Sequence, residues 1–155
     1  MKSPKNCINI LLVGLDDKFC KSVSQELAET LQMHFTDCGD IVNYYIQEKD
    51  LILQKVGLDY LKRKEKSALK ECANFRDCVL TINFDYFKHN LTLFKSSAIC
   101  YLRIDDEKKL NVIDRISFNS RDEFLKENSH IIVDLKKNDK HKAVKTLIKN
   151  LGEIL

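Results

Sequence analysis

Short apolar runs alternate along this chain with longer amphipathic stretches, and this alternation constrains the fold more than any other feature. Each run holds five or six residues and carries apolar side chains on both faces, which is typical of a strand buried on both sides of a parallel sheet. The first run contains one polar interruption, at Asn9, and is bounded by Gly14. The runs cover residues 8–13, 78–82, 98–102 and 130–135.

The segments between the runs predict helices. Residues 22–34 place Val23, Leu27 and Leu31 at positions i, i+4 and i+8, which defines one apolar helix face. Further helices are predicted over 40–47, over 58–75 and from Asp139 to the end of the chain, with a short helix or loop over 85–95. Strands that alternate with helices predict an α/β fold with a mostly parallel sheet and helices on both of its faces.

Ligands of open parallel sheets bind beyond the carboxyl ends of the strands. Candidate site residues are therefore expected just after Val13, Phe35, Ile82 and Leu102.

Composition excludes several classes of protein. The 155 residues include 4 glycines and 1 proline, against about 11 and 8 at average usage, so collagen-like and linker-rich chains are excluded. A net charge of +3 with scattered basic residues gives little support for a nucleic-acid partner. No apolar run approaches the roughly 18 residues of a membrane helix, and the start lacks a signal-peptide h-region. We expect a single cytoplasmic domain over residues 1–155, without nucleic-acid or membrane partners.

The cysteines predict buried, reduced thiols rather than disulfides or a metal site. They lack the C-x-x-C and Cys/His spacings of zinc ligands, and most lie in apolar stretches. The six are Cys7, Cys20, Cys38, Cys72, Cys78 and Cys100.

The segment after the first strand has the setting of a phosphate-binding loop. Such a loop follows the pattern G-x-x-x-x-G-K-S/T between a strand and a helix. Here Gly14 is in place, but Phe19 occupies the second glycine position, and the pair Lys21-Ser22 comes one residue late. Asp16 and Asp17 add negative charge where phosphates would lie, and like charges at 4 Å cost about 1 kcal/mol even in water.

Cys20 offers a different chemistry at the same place. A helix N-terminus lowers the pKa of a nearby thiol, so this cysteine is a candidate reactive thiolate. The alternative is an inert small residue that fills a collapsed loop.

The order and spacing of several segments resemble the shikimate kinases, which are small P-loop kinases. The stretch from Val13 to Asp37 is similar to the opening of that family without a gap, and the resemblance continues over nearly the whole chain. The matching segments are 9–14, 27–28, 31, 33–37, 57–65, 78–81, 100–102, 106–110, 121–125 and 130–133. The resemblance implies a three-layer αβα sandwich of the P-loop kinase type, with a five-stranded parallel sheet in the order 2-3-1-4-5.

The chain departs from that family where the family's chemistry takes place. The Walker A motif has lost its later glycines and its lysine, which leaves Gly14, Lys18, Lys21 and Ser22 as remnants. Asn83-Phe84-Asp85 stands in place of the three-glycine loop that approaches shikimate. The family's long arginine-bearing lid is reduced to residues 111–120, in which Arg115 is expected to be an ordinary surface residue.

The resemblance also assigns candidate catalytic and substrate residues. Asp37 matches the aspartate that lies near the metal and the transferring phosphate, although a strand-end aspartate also serves as a helix N-cap. Lys62 falls on one substrate-binding arginine, and lysine lacks the bidentate fork that suits a carboxylate. Arg121 falls on the other, with ion pairing to Asp122 or Glu123 as its alternative role.

Three functions follow as hypotheses. The first is a non-catalytic domain that keeps the kinase fold as a binding or regulatory module, without a cofactor, for a protein partner or a small anionic ligand. The second is a divergent small-molecule kinase using Mg-ATP, with Lys18 or Lys21 in place of the missing lysine, Asp37 beside the metal, and Lys62 with Arg121 on the substrate. The third is thiolate chemistry or ligand capture at Cys20.

Overall fold

The computed structural model describes residues 9–47, 49–105 and 112–154. The strands are β1 (Ile10–Gly14), β2 (His34–Asp37), β3 (Cys78–Thr81), β4 (Ala98–Ile104) and β5 (Ile131–Leu135). The helices are α1 (Asp17–Leu31), α2 (Cys38–Tyr45), α3 (Lys49–Lys55), α4 (Leu58–Ala73), α5 (Phe84–His89), α6 (Val112–Glu127) and α7 (Lys140–Ile154), and a 3-10 turn covers Leu91–Phe94.

The described strands form one parallel sheet in the order β2-β3-β1-β4-β5. Strand β1 lies in the middle, where Leu12 pairs with Thr81 of β3 on one side and with Cys100 of β4 on the other. Every residue of β1 is buried, as expected for a strand covered on both faces. The predicted α/β class and strand order are confirmed.

Two apolar layers enclose the sheet. On one face, α1 and α7 pack on the even-numbered residues of β1, with Leu27 and Leu147 fully buried. On the other face, α2, α4 and α5 cover Leu11 and Val13. Because the described strands are parallel, their carboxyl ends lie at one edge of the sheet, where the connections to the following helices begin.

Several element boundaries differ from the sequence prediction. Helix α1 begins at Asp17 rather than Ser22, because Asp16 caps it and because Phe19 and Cys20 extend its buried face by a further turn. Helix α3 was not predicted, because no apolar period marks its sequence. The structure gives the reason, since none of its residues is buried.

The region of the predicted lid remnant is helical where it is described. Residues 112–120 form the first half of α6. Asn111, and the helix that the family resemblance predicts over residues 106–110, lie outside the described residues.

The five described cysteines are buried and free, which agrees with the thiol prediction, and Cys7 lies outside the described residues. None of the described helices combines the length and apolarity needed to cross a membrane.

Candidate functional site

Four helices begin at the carboxyl edge of the sheet, and each is capped by a side chain of the residue just before it. These helices are α1, α2, α5 and α7. The capping contacts are Phe19 N–H to Asp16 Oδ1 at 3.0 Å, Gly39 N–H to Asp37 Oδ1 at 2.9 Å, Tyr86 N–H to Asn83 Oδ1 at 2.8 Å, and Lys142 N–H to Asp139 Oδ1 at 3.1 Å. Free N–H groups at a helix N-terminus are what an anion binds, so the protein's own oxygens occupy donors that a phosphate would need.

The connection between β1 and α1 is too short to wrap around a phosphate. Only Leu15 and Asp16 separate the end of β1 from the first residue of α1. Asp16 Oδ2 also accepts a hydrogen bond from Asn138 Nδ2 at 3.0 Å, which joins the N-terminal ends of the neighbouring helices α1 and α7. The segment that aligns with a P-loop is therefore the first turn of a helix.

Gly14 lies where the packing leaves no room for a side chain. A Cβ added to it would lie 2.7 Å from the backbone oxygen of Leu102 and 2.8 Å from Cys20 Sγ. Phe19, at the position of the second P-loop glycine, is 6% exposed and belongs to the core between the sheet and α7. The space beside Gly14 is thus filled by side chains of α1.

Cys20 has surroundings that disfavour the thiolate. The side chain is buried, and burial raises the pKa of the thiol, with a further rise from the negative charges of Asp17 and Asp16. The reactive-thiol hypothesis requires a lowered pKa. Here the helix N-terminus carries two carboxylates close to the sulfur, and their charge opposes that of the helix dipole.

Carboxylates gather at the edge where phosphates bind in P-loop proteins. Burial raises the pKa of Asp17, and the charges of Asp16, Asp37 and Asp85 raise it further. These residues lie at the carboxyl ends of the neighbouring strands β2, β3 and β1, at the same edge of the sheet. Carboxylates at this edge are unfavourable neighbours for a polyphosphate, because like charges repel.

The two candidate lysines lie in the first turns of α1. Lys18 is exposed on the first turn of α1, and Ser22 is half-buried one turn further along. Lys21 Nζ lies 3.4 Å from Asp37 Oδ2 and 3.5 Å from Asp40 Oδ2. The hydrogen bond from Lys21 to Asp37 and the charge of Asp40 raise the pKa of this lysine.

Asp37 has the capping geometry that its strand-end position suggested. One carboxylate oxygen accepts the Gly39 N–H and the other faces Lys21. Both oxygens therefore have protein partners, and the residue links α2 to α1.

Lys62 lines a polar cleft between α4 and α5 with a volume of about 370 Å³. Its Nζ lies 3.5 Å from Glu65 Oε1. The buried Glu65 also accepts a hydrogen bond from the Tyr86 hydroxyl at 3.2 Å, and that hydroxyl accepts one from Lys49 Nζ at 3.1 Å. Lys66, Asn83, Asp85 and His89 complete most of the lining.

Arg121 is held by its own helix rather than by an acidic neighbour. Its guanidinium donates to the backbone and side-chain oxygens of Ser117 and lies 5.9 Å from the ring centre of Phe84. Neither Asp122 nor Glu123 provides the contact that sequence reasoning considered. Arg121 thus lies over the ring of Phe84, the first residue of α5.

Sequence reasoning missed an ion-pair cluster at the end of β4, centred on Arg103. Its Nε lies 2.8 Å from Asp122 Oδ1, its Nη1 2.8 Å from Asp134 Oδ1 and its Nη2 2.9 Å from Asp105 Oδ2. Tyr101 donates to Asp122 at 2.6 Å. The alternation of Tyr101, Arg103 and Asp105 along one strand face was the available sequence signal.

The same cluster holds Arg115, which the sequence analysis treated as an ordinary surface arginine. Its Nη2 lies 2.9 Å from Asp105 Oδ1, and this contact lowers the pKa of that carboxyl. Burial raises the pKa of Asp122, but hydrogen bonds from Arg103 and Tyr101 outweigh burial, and the net shift is downward.

Comparison with known proteins gives a structural likeness only. No protein-family model and no curated protein sequence matches the chain. Shikimate kinase from Aquifex aeolicus is similar in structure, with a TM-score of 0.72 at 19% identity over 94% of this chain and 96% of that one. Shikimate kinase from Acinetobacter baumannii gives 0.69 at 16% identity over 97% and 96%. A gluconokinase from Sinorhizobium meliloti gives 0.51 at 14% identity over 94% and 95%. The chain therefore has the fold of the shikimate kinases and related P-loop kinases.

Proposed function

We propose that this protein is a non-catalytic binding or regulatory module built on a P-loop kinase fold. The observation that carries the proposal is the side-chain capping of the helices at the carboxyl edge of the sheet. Asp16 and Asn83 supply the oxygens at the two places where the family resemblance puts glycine-rich loops. Phosphoryl transfer depends on positioning and on cations placed against the phosphates, and this edge offers carboxylates instead.

Mg-ATP does not fit the residues present. The Phe19 N–H is bonded to Asp16, and the Phe19 and Cys20 side chains fill the space next to Gly14. A triphosphate would have to displace the cap, unwind a helical turn and approach Asp16, Asp17 and Asp85.

The cleft between α4 and α5 is the place that suits a small anionic ligand. Lys62 and Lys66 lie one turn apart on α4, and both line the cleft. Lys49 donates a hydrogen bond to the hydroxyl of Tyr86, which is also in the lining. Two carboxylates accompany these three ammonium groups: that of Glu65, which lies 3.9 Å from Lys49 and 3.5 Å from Lys62, and that of Asp85 in the lining. A small carboxylate or phosphate would complete the charge balance.

The second candidate function is a divergent ATP-dependent small-molecule kinase. Its supporting observation is the Lys21 ammonium, which lies within 3.4 Å of Asp37 at the end of β2. In this version Lys18 or Lys21 would meet the phosphates, Asp37 would assist the metal, and Lys62 with Arg121 would hold the substrate.

A thermal-shift experiment separates the two functions. A ligand present at 100 times its Kd stabilises the folded state by about 2.7 kcal/mol, which raises Tm by about 5 to 10 °C in a domain of this size. We expect no change in Tm with Mg-ATP or Mg-ADP at millimolar concentration. A rise of several degrees that is lost in Lys21→Ala, together with ATP turnover in the presence of shikimate, would establish the kinase instead.

The cleft is tested separately, with shikimate as the probe for small hydroxylated carboxylates. We expect NMR shifts in α4 and α5 that weaken in Lys62→Ala and Lys66→Ala. Lys142→Ala, on the exposed face of α7, is the matched control. Shifts unaffected by both cleft variants would remove the cleft from the proposal.

A further inference from the structure

The exposed charges that line the cleft between α4 and α5 differ in sign between its two helices. Lys62 and Lys66 belong to α4, whereas Asp85 belongs to the first turn of α5. Asn83, which caps α5, and His89, at its end, add polar groups on the α5 side. The cleft therefore presents exposed ammonium groups on one side and an exposed carboxylate on the other.

Ion pairs within the protein use only part of this charge. The buried carboxylate of Glu65 lies 3.5 Å from Lys62 Nζ and 3.9 Å from Lys49 Nζ, so its charge is balanced from within. In the part of the chain that the structure describes, no ion pair includes Lys66 or Asp85. One cation and one anion, on opposite sides of the cleft, are thus available to a ligand.

The carboxylate side of the cleft is continuous with the carboxyl edge of the sheet. Burial raises the pKa of Asp17 most, and the charges of Asp16, Asp37 and Asp85 raise it further. These carboxylates repel one another, and a positive group placed beside Asp85 would reduce that repulsion. An ammonium group therefore suits the α5 side, just as an acid group suits the lysines on the α4 side.

Charge and size narrow the ligand further. The three ammonium groups of Lys49, Lys62 and Lys66 exceed the two carboxylates of Glu65 and Asp85 by one positive charge. A ligand with one ammonium and two acid groups carries one negative charge and balances this excess. The cleft volume of about 370 Å³ is near the lower end of the range for small-molecule sites, which suits a molecule as small as an amino acid.

We propose that the cleft binds an anionic α-amino acid of the aspartate or glutamate class, with its ammonium group beside Asp85 and an acid group beside Lys66. Lys62, whose side chain is 58% exposed, has further N–H donors for the second acid group. The proposal rests on the binding function proposed above and names the class of its small anionic ligand.

Isothermal titration calorimetry of the full chain tests the ligand class. The probes are L-aspartate and L-glutamate at up to about 10 mM, which covers Kd values near 1 mM. Succinate and glutarate keep both acid groups and lack the ammonium, whereas asparagine and glutamine keep the ammonium and lack the side-chain charge. We expect at least one acidic amino acid to bind about tenfold more tightly than its dicarboxylate and than its amide, because each analogue loses one charged contact.

Two variants test the placement of the ligand groups. Asp85→Asn should remove the preference over the dicarboxylate, and Lys66→Gln should remove the preference over the amide. Glu29→Gln, in the last turn of α1, and Lys142→Gln, on α7, remove exposed charges outside the cleft lining and should bind like the wild type. Far-UV circular dichroism checks that each variant is folded.

The possible failures are distinguishable. Equal binding of the acidic amino acids and their dicarboxylates, or a preference that survives Asp85→Asn or Lys66→Gln, would overturn this inference and leave the cleft as a site for simple anions. If none of the acids binds, both this inference and the anion-binding cleft are wrong.

Discussion

Replacing Gly14 by alanine tests whether this glycine serves packing or ligand approach. The added methyl group would lie 2.7 Å from the backbone oxygen of Leu102 and 2.8 Å from Cys20 Sγ. The first neighbour is a carbonyl of β4 that pairs in register with Gly14 itself. Neither strand can move without disturbing the centre of the sheet.

The expected loss of stability follows from two opposing effects. Overpacking a buried position costs about 1 to 3 kcal/mol. Gly14 does not have a positive φ, so alanine gains about 0.4 to 1 kcal/mol from the lower entropy of the unfolded chain. Because the closest contact of the added methyl group is with a backbone oxygen, the overpacking cost lies at the upper end of its range, and we expect a net loss of about 2 kcal/mol. With a urea m-value of about 1 to 3 kcal/mol/M, the unfolding midpoint falls by about 1 M.

Urea denaturation followed by circular dichroism measures the change, and Gly152→Ala is the control. No atom lies within 4 Å of a Cβ at Gly152, which is an exposed position in α7. Alanine there should stabilise the protein by about 0.5 kcal/mol. The two glycine substitutions thus have opposite predicted signs.

A double substitution identifies the cause. In Gly14→Ala/Cys20→Ala the contact with sulfur disappears, while the contact with Leu102 remains. The coupling between the two changes should be favourable by about 1 kcal/mol. Equal stability of Gly14→Ala and the wild type would refute the packing argument and leave the space next to Gly14 open for a ligand.

Three further predictions concern the caps, the thiol and the ion pairs. Asp16→Ala should lower the free energy of unfolding by about 1 kcal/mol in the same urea assay. Asp16→Ser keeps a capping oxygen and should therefore keep most of the stability that the cap provides. Iodoacetamide at pH 8 should leave Cys20 unmodified in the folded protein and alkylate it in urea, as read by mass spectrometry; a folded-state reaction with a group titrating below pH 8 would contradict this. Arg103→Leu should cost about 3 kcal/mol at pH 7, because Asp122 stays buried without its main partner. The folded pKa values of Asp105 and Asp122 are lowered, so their contribution to the free energy of unfolding is full above the unfolded pKa of about 4 and is lost as the pH falls. The difference in stability between Arg103→Leu and the wild type should therefore narrow in acid. A constant difference down to pH 2 would argue against the ion pairs as its source.

Strands β1, β3 and β4 were predictable because burial on both faces leaves a direct mark on the sequence, whereas β2, which has no buried residue, followed only from the family resemblance. Leu11, Leu12 and Val13 are all fully buried, and only a continuous apolar run permits this. The start of α1 was not predictable in the same way. Asp16 is compatible with both a loop and a cap, and the choice depends on whether Phe19 reaches the core between the sheet and α7, which is a tertiary contact.

The candidate site likewise has parts that local sequence predicts and parts that depend on tertiary contacts. The caps at Asp37 and Asn83 act on residues two and three positions away, so local sequence suffices to propose them. The cluster around Arg103 joins β4, β5 and α6 over separations of 19 and 31 residues. The cleft likewise depends on Lys49, Glu65 and Tyr86, which come from three elements. A local pattern such as the alternation of Tyr101, Arg103 and Asp105 can suggest one part of such a group, but it does not specify the partners on other elements.

The helical turn that begins α1 also bears on which sequences the chain can reach by mutation. Introducing a phosphate-binding loop of the pattern G-x-x-x-x-G-K-S/T would require glycine in place of Phe19, which removes one of the aromatic side chains of the core. Losing a buried phenylalanine costs about 3 to 5 kcal/mol, a large share of the 5 to 15 kcal/mol that typically keeps a domain folded. This substitution would be destabilising before any nucleotide affinity appeared. The chain can therefore accept changes on its exposed surfaces, which usually cost within about 0.5 kcal/mol, far more readily than it can acquire a P-loop.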